Sequence, residues 1–298
     1  MEVLERKKKK QETVSDNDER LVTLKRRPWF GYARALAIRD RLESLFVHPQ
    51  IDRMPNLAII GETNNGKSML LQNFYKRHPQ SDQPESDKSA LPILMIETPP
   101  EPDENRLYEV ILEELFASGS PRELTSTRLS RLKVILRNLE TRMIVFDNIH
   151  NALGGSLKRQ QRFLHAIRYM SERLKICFVV AGIPEALNFL ASDKQSANRF
   201  EPVFLPLWKL DQEYQQLLTT IEQKISLRKP SVLAEPKLAR RILDVSEGTI
   251  GEILSLVRRL AEAAIISGEE RITEEMLKPE SLASLGWVAP SQRTMYQR

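Results

Sequence analysis

The chain has 298 residues, 41% hydrophobic and 29% charged, with a formal charge of +5, which predicts a soluble globular protein with room for one α/β domain and a smaller helical one. No apolar run approaches the roughly 20 residues that span a bilayer, and the basic start Met1 to Lys10 has no apolar stretch behind it, so a membrane protein and a secretory signal are both excluded as readings. A single cysteine, Cys177, excludes an internal disulfide framework, and a cytoplasmic location is the expectation.

Residues 1–27 carry nine Lys/Arg against six Asp/Glu, so this arm holds +3 of the +5. Its Lys7 to Lys10 run reads as a solvated tail, or as an attraction to nucleic acid. Arg27 to Tyr32 is an aromatic turn that either lines an adenine pocket or staples the arm to the core, and Ala33 to Phe46 is an amphipathic helix. Next comes the apolar strand Leu57-Ala58-Ile59-Ile60, which runs directly into Gly61-Glu62-Thr63-Asn64-Asn65-Gly66-Lys67-Ser68, a complete G-x-x-x-x-G-K-S phosphate loop. The spacing follows from the chemistry. Gly61 and Gly66 let the backbone wrap closely, and successive N–H groups, with the start of the helix carrying Met69, Leu70, Leu71 and Phe74, point at a phosphate. Lys67 is placed to reach the β- and γ-phosphates of ATP, and Ser68 to bind Mg²⁺.

His78 to Ala90 is polar with two prolines and reads as a surface loop; Leu91 to Ile96 is a second strand. After the Pro-rich turn Thr98 to Pro102, Asp103 caps a helix with an apolar stripe through Leu107, Val110, Ile111 and Leu115. Arg122 to Leu139 is another helix, leading to Met143-Ile144-Val145-Phe146-Asp147, a strand buried on both faces that ends in a carboxylate. In P-loop NTPases such an aspartate holds the Mg²⁺ water shell. Asn148 follows it, and an amide orients a water but cannot take its proton, so nucleotide binding is expected and fast hydrolysis is not, unless another group positions the water. The histidines His48, His78, His150 and His165 show no metal-ligand spacing, so no metal other than Mg²⁺ is implied.

Ser156 to Leu174 is a helix, Ile176 to Ala181 a strand and Pro184 to Leu190 a helix. Such alternation argues for a parallel sheet covered on both faces. From Leu210 strand signals cease, and helical patterns at Asp211 to Leu227, Pro236 to Val245 and Thr249 to Ile266 suggest a helical lid. The expected organisation is a basic arm (1–27), an α/β nucleotide-binding domain (28–208), a lid (209–278) and a C-terminal tail (279–298). In that tail Trp287 either docks a partner or packs on the lid.

The combination of motifs resembles the TniB/TnsC family of AAA+ transposition regulators over roughly residues 25–292. The likeness is carried by Arg53 to Leu57 entering the phosphate loop, Asp147 to Asn151 with Gly154-Gly155 and Gln160 to Arg162 beyond, Ala181 to Ala186, Arg199-Phe200 before Leu205 to Trp208, Gly248 to Gly251, and Gly286 to Ser291. It implies an AAA+ P-loop fold with a helical lid, ATP bound at subunit interfaces, assembly along duplex DNA as a filament or ring, and a link between a target-selection protein and a transposase. By the same likeness Asp147 matches the Mg²⁺ position and Asn148 the usual Glu position. Arg199 matches the position from which an arginine reaches a neighbour's γ-phosphate. Glu252 lies near where a lid arginine is usual. Lys158, Arg159 and Arg162 after the Gly154-Gly155 turn, and Lys133 with Arg137, are candidate DNA-backbone contacts or solvated helix faces. A helicase-loader or initiator-like switch, a nucleotide-stabilised scaffold and a small-molecule kinase remain alternative functions.

Overall fold

The computed structural model describes residues 16–26, 28–83, 88–120, 122–192 and 198–293; the Lys7 to Lys10 run and Arg27 lie outside these. Contacts divide the chain into two units, residues 34–206 and residues 1–33 together with 207–298. A helix over residues 16–24 (α1) opens the described chain.

The α/β unit follows from apolar runs that alternate with amphipathic helices. In chain order it contains α2 (Ala33–Phe46), β1 (Asn56–Gly61), α3 (Lys67–Tyr75), a short antiparallel hairpin of β2 (Ser81–Gln83) and β3 (Lys88–Ala90), β4 (Ile93–Glu97), α4 (Glu104–Glu114) and α5 (Thr125–Asn138). It continues with β5 (Met143–Asp147), a 3₁₀ turn at Ile149–Leu153, α6 (Leu157–Leu174), β6 (Cys177–Gly182), α7 (Glu185–Ala191) and β7 (Phe200–Leu205). The five long strands form one sheet in the order β4-β5-β6-β1-β7, every neighbouring pair parallel. Parallel strands of this kind are covered on both faces, which is why β1 and β6 are buried at every position. Alternate residues Ala58, Ile60, Ile144, Phe146, Phe178 and Val180 join the core formed with α4, α5 and α6. Cys177, on the other register, donates from Sγ to the Leu45 carbonyl of α2 at 3.3 Å, and burial pushes its thiol up to about 11.

Two segments differ from the sequence expectation. The segment 78–90, expected as a loop, carries the β2–β3 hairpin, and Phe200–Leu205, for which no strand was expected, pairs along its whole length with β1. Pro202 and Glu201 disguise that strand. It lies at the sheet edge, where a proline loses no ladder bond and a charge faces water.

Asn56 is the polar exception in this core. It is buried, and its Oδ1 accepts from the Phe178 N–H at 2.8 Å and from Ser171 Oγ at 3.3 Å, joining β1 to β6 and α6. Asn56→Ala strands the Phe178 N–H without a partner and should cost about 1–3 kcal/mol, read as a lower urea midpoint at unchanged slope. An unchanged midpoint would show that water reaches the freed donor.

The helical unit contains α8 (Gln212–Lys224), α9 (Pro236–Ser246), α10 (Ile250–Ser267), a 3₁₀ turn at Glu274–Leu277, α11 (Pro279–Ser284) and α12 (Pro290–Arg293). Asp211 caps α8 by accepting from the Tyr214 N–H, Pro236 sits at the first turn of α9, and Gly268 closes α10 at φ 78. The N-terminal segment packs here. Leu24 and Phe30 enter this core, Tyr32 meets Trp208 edge-on at 4.8 Å, and Arg20 pairs with Glu270 at 2.5 Å. Residues 28–33, which the sequence places with the α/β domain, thus pack Phe30 and Tyr32 against the helical core.

The last described residues join the same helices. Trp287 is buried, Arg293 forms a bidentate pair with Glu252 at 3.0 and 2.8 Å and lies over the Trp287 ring, and the Glu247 carboxylate accepts from the Ser291 N–H. Trp287 thus packs on the helices, and the cation beside Glu252 is supplied by the tail.

Candidate functional site

Five strands end at one edge of the sheet, bringing Gly61, Glu97, Asp147, Gly182 and Leu205 to its carboxyl side. In open parallel sheets this edge is where ligands bind. The phosphate loop is shaped by residues that tolerate left-handed backbone, Asn64 at φ 60 and Gly66 at φ 86. Gly61 has no alternative, because a Cβ there would stand 2.7 Å from the Leu205 carbonyl oxygen. Asn65 is buried and donates from Nδ2 to the carbonyls of Leu205 (2.6 Å) and Pro206 (3.1 Å), tying the loop to the end of β7.

Helix α3 begins at Lys67, and its first internal bond runs from the Leu70 N–H to the Gly66 carbonyl at 3.0 Å. The N–H groups of Lys67, Ser68 and Met69 are thus among those a helix leaves without an internal acceptor, an arrangement suited to an anion. The Lys67 side chain is only 6% exposed, with Nζ donating to the Gly61 and Glu62 carbonyls at 2.7 and 2.8 Å. Burial pushes this amine below the ordinary lysine range, against the opposing pull of the Asp147 and Glu62 carboxylates. Glu62 and Thr63 are exposed at the outer turn of the loop.

Asp147, half-buried at the end of β5, accepts the Asn148 N–H on Oδ1 at 2.9 Å. Asn148 itself is left-handed at φ 54, ψ 43, a conformation that asparagine reaches more cheaply than other side chains. Its Nδ2 donates to Glu97 Oε1 at 3.2 Å. Three residues past Asp147, His150 is half-buried with Nδ1 lacking a partner among the described residues, and burial together with the nearby Lys67 charge lowers its pKa. Sequence reasoning missed both Glu97 and His150. Glu97 stands one position beyond the strand read from the apolar run, and only the β4–β5 register, pairing Glu97 with Asp147, reveals it.

Arg199 is not at this edge. It immediately precedes β7, whose register runs from Asn56↔Phe200 to Gly61↔Leu205, so it belongs to the opposite end of the sheet. There it pairs with Glu172 at 2.5 Å. Lys133 and Arg137 on α5, and Lys158, Arg159 and Arg162 on α6, are all exposed, and the two helices pack together on one side of the sheet. No helix among the described residues is long and apolar enough to cross a membrane.

The sequence model of a family described as "Bacterial TniB protein" matches residues 20–210. No curated protein matches the chain in sequence. In structure the chain is similar to the Aeropyrum pernix ORC1 protein solved in complex with DNA, with TM-score 0.60, 18% identity, and coverage of 89% of this chain and 69% of that one. It is also similar to the A. pernix ORC2 protein in ADPNP-ADP complexes, with TM-score 0.57, 16% identity and coverage of 83% and 66%. Drosophila ORC bound to DNA gives TM-score 0.60, 14% identity and coverage of 93% and 67%. The chain thus spans about two thirds of these proteins' lengths, and at such identities the likeness is one of fold.

Proposed function

The chain belongs to the bacterial TniB family, and on that premise we propose that it is an ATP-dependent, DNA-binding regulator of transposition that assembles on duplex DNA and links a target-selection protein to a transposase. The observation that carries the nucleotide part is the joint placement of the phosphate loop, the buried Lys67 and Asp147 at one sheet edge. In this reading the backbone of Gly61 to Met69 cradles the triphosphate, and Lys67 exchanges its carbonyl partners for β- and γ-phosphate oxygens. The donor set suits Mg²⁺. Among the described residues no cluster of three or more His, Cys, Asp or Glu could hold a metal, and Mg²⁺ is commonly held by one or two protein oxygens plus nucleotide phosphates, here the Ser68 hydroxyl and the Asp147 carboxylate. Bound there, the ion would neutralise charge on the phosphates.

The placement of Arg199 at the far end of the sheet supports action in trans, on the nucleotide of an adjacent subunit. A heterologous contact of that kind repeats without closing and builds filaments, or rings where the rotation closes. The exposed basic residues of α5 and α6 (Lys133, Arg137, Lys158, Arg159, Arg162) would supply phosphate contacts without reading sequence. In the division proposed from sequence, the helices after Trp208 act as the lid and residues 279–298 as the partner-docking tail, of which Ser291 and Arg293 bond to Glu247 and Glu252. A cytoplasmic location is part of the same proposal.

Sedimentation of the protein with random-sequence duplex tests the assembly. ATP should convert slow free species into fast DNA-bound ones, whereas a single slow species under every nucleotide would refute it. The second reading, an initiator-like switch acting on a helicase, is favoured by the fold shared with ORC proteins. Capture assays with purified transposase, target-selection protein and helicase separate the two.

A further inference from the structure

An ATPase of this fold needs a group that takes a proton from the attacking water, and the amide of Asn148 cannot do so. A carboxylate stands one strand away. Strand β4 ends at Glu97, which pairs in register with Asp147, and Asn148 Nδ2 donates to Glu97 Oε1 at 3.2 Å. We infer that Glu97 is the residue that accepts the proton of the attacking water, with Asn148 as the positioning residue that orients its carboxylate. The carboxylate expected after Asp147 has, in effect, moved to the neighbouring strand, and an amide has taken its place.

Three features of the structure support this. The end of β4 is fixed to the end of β5: the Thr98 N–H and Oγ–H both donate to the Asp147 carbonyl, at 2.9 and 2.8 Å, and Asn151 Nδ2 donates to the Thr98 carbonyl at 2.9 Å. Position 148 is left-handed, a conformation that asparagine reaches more cheaply than glutamate, while the extended end of β4 suits glutamate. Finally, Glu97 is exposed, and its bond to Asn148 engages only one carboxylate oxygen. Burial and the Lys67 charge both oppose protonation of His150, the neighbouring group at this edge.

The inference rests on the ATP-binding reading above, and the step it describes is hydrolysis. As the water oxygen bonds to the γ-phosphorus, its proton passes to Glu97. The bond from phosphorus to the β–γ bridging oxygen breaks, its electron pair leaving with ADP, and Glu97 returns the proton to solvent.

The test uses the full chain with duplex DNA and measures two quantities, turnover of ATP and the Kd of a fluorescent ATP analogue. Glu97→Gln should lower turnover by about 10²-fold or more while the Kd stays within about twofold. The exchanged pair Glu97→Asn with Asn148→Glu should recover at least about tenfold of that loss, a rescue that a purely structural role does not give. Wild-type turnover in Glu97→Gln, or loss of analogue binding in it, overturns this inference and leaves the nucleotide reading standing. Wild-type protein that binds the analogue but never turns ATP over also overturns it. Wild-type protein that binds no nucleotide overturns both.

Discussion

Lys67→Ala should weaken ATP binding by about 10²-fold or more and leave the nucleotide-free fold as stable as the parent, or more stable. Each hydrogen bond from a charged donor to a charged acceptor contributes roughly 1.5–3 kcal/mol, and a lysine bridging two phosphates makes two of them. At about 1.4 kcal/mol per tenfold, two such bonds set the size of the loss. Stability moves the other way because this ammonium is a poor structural element. It is buried, stands at the start of α3 where the helix dipole opposes a cation, and bonds only to two loop carbonyls that water can reach once the side chain is gone.

The lowered pKa gives the sign of the pH dependence. The unfolded chain binds this proton more readily than the folded one, so the charge penalty is in full force below the lowered folded value and is relieved as pH rises through it. Wild-type stability should therefore gain on the alanine variant as pH is raised above that value, measured by thermal unfolding of both proteins across neutral and alkaline pH. A large loss of stability in the variant at neutral pH would contradict this view of Lys67.

Arg199→Ala should reduce ATP turnover in assembled complexes by about 10³-fold, the lower bound for an arginine acting on the transferred phosphoryl group, without changing the ATP affinity of the dilute protein. Geometry argues against action in cis. Six residues of strand at about 3.3 Å each place Arg199 roughly 20 Å from the level of the phosphate loop, too far to reach the nucleotide of its own chain. Losing the Glu172 pair costs the fold little, since a partly exposed ion pair contributes at most about 1 kcal/mol. Mixing is the sharper check. Lys67→Ala subunits retain Arg199, and Arg199→Ala subunits retain the nucleotide site, so the mixture should turn over faster than either alone. A mixture no faster than its parts would place Arg199 outside the reaction.

Local patterns in the sequence convey some parts of this fold and hide others. The phosphate loop and the Asp147 strand were legible because their chemistry is written in consecutive residues, and the parallel sheet because apolar runs alternate with helical stripes. Strand β7 was not, since Pro202 and Glu201 are acceptable only at an edge, and edge position is a property of the assembled sheet. The helix at 16–24 escaped notice within a charged arm; its anchor, Arg20 to Glu270, joins residues 250 positions apart. Glu97 was hidden for a related reason. Nothing local distinguishes it from any polar residue ending a strand, and its partnership with Asn148 exists only through the β4–β5 register. The left-handed backbone of Asn148 supplies a reason for asparagine there that composition does not give.

Binding of the full chain to a labelled random-sequence duplex at one fixed salt concentration, compared with ATP, with ADP and without nucleotide, tests the central claim most directly. Tight and cooperative binding with ATP alone is the predicted result. Equal binding in all three states, or none in any, would contradict ATP-controlled assembly on DNA.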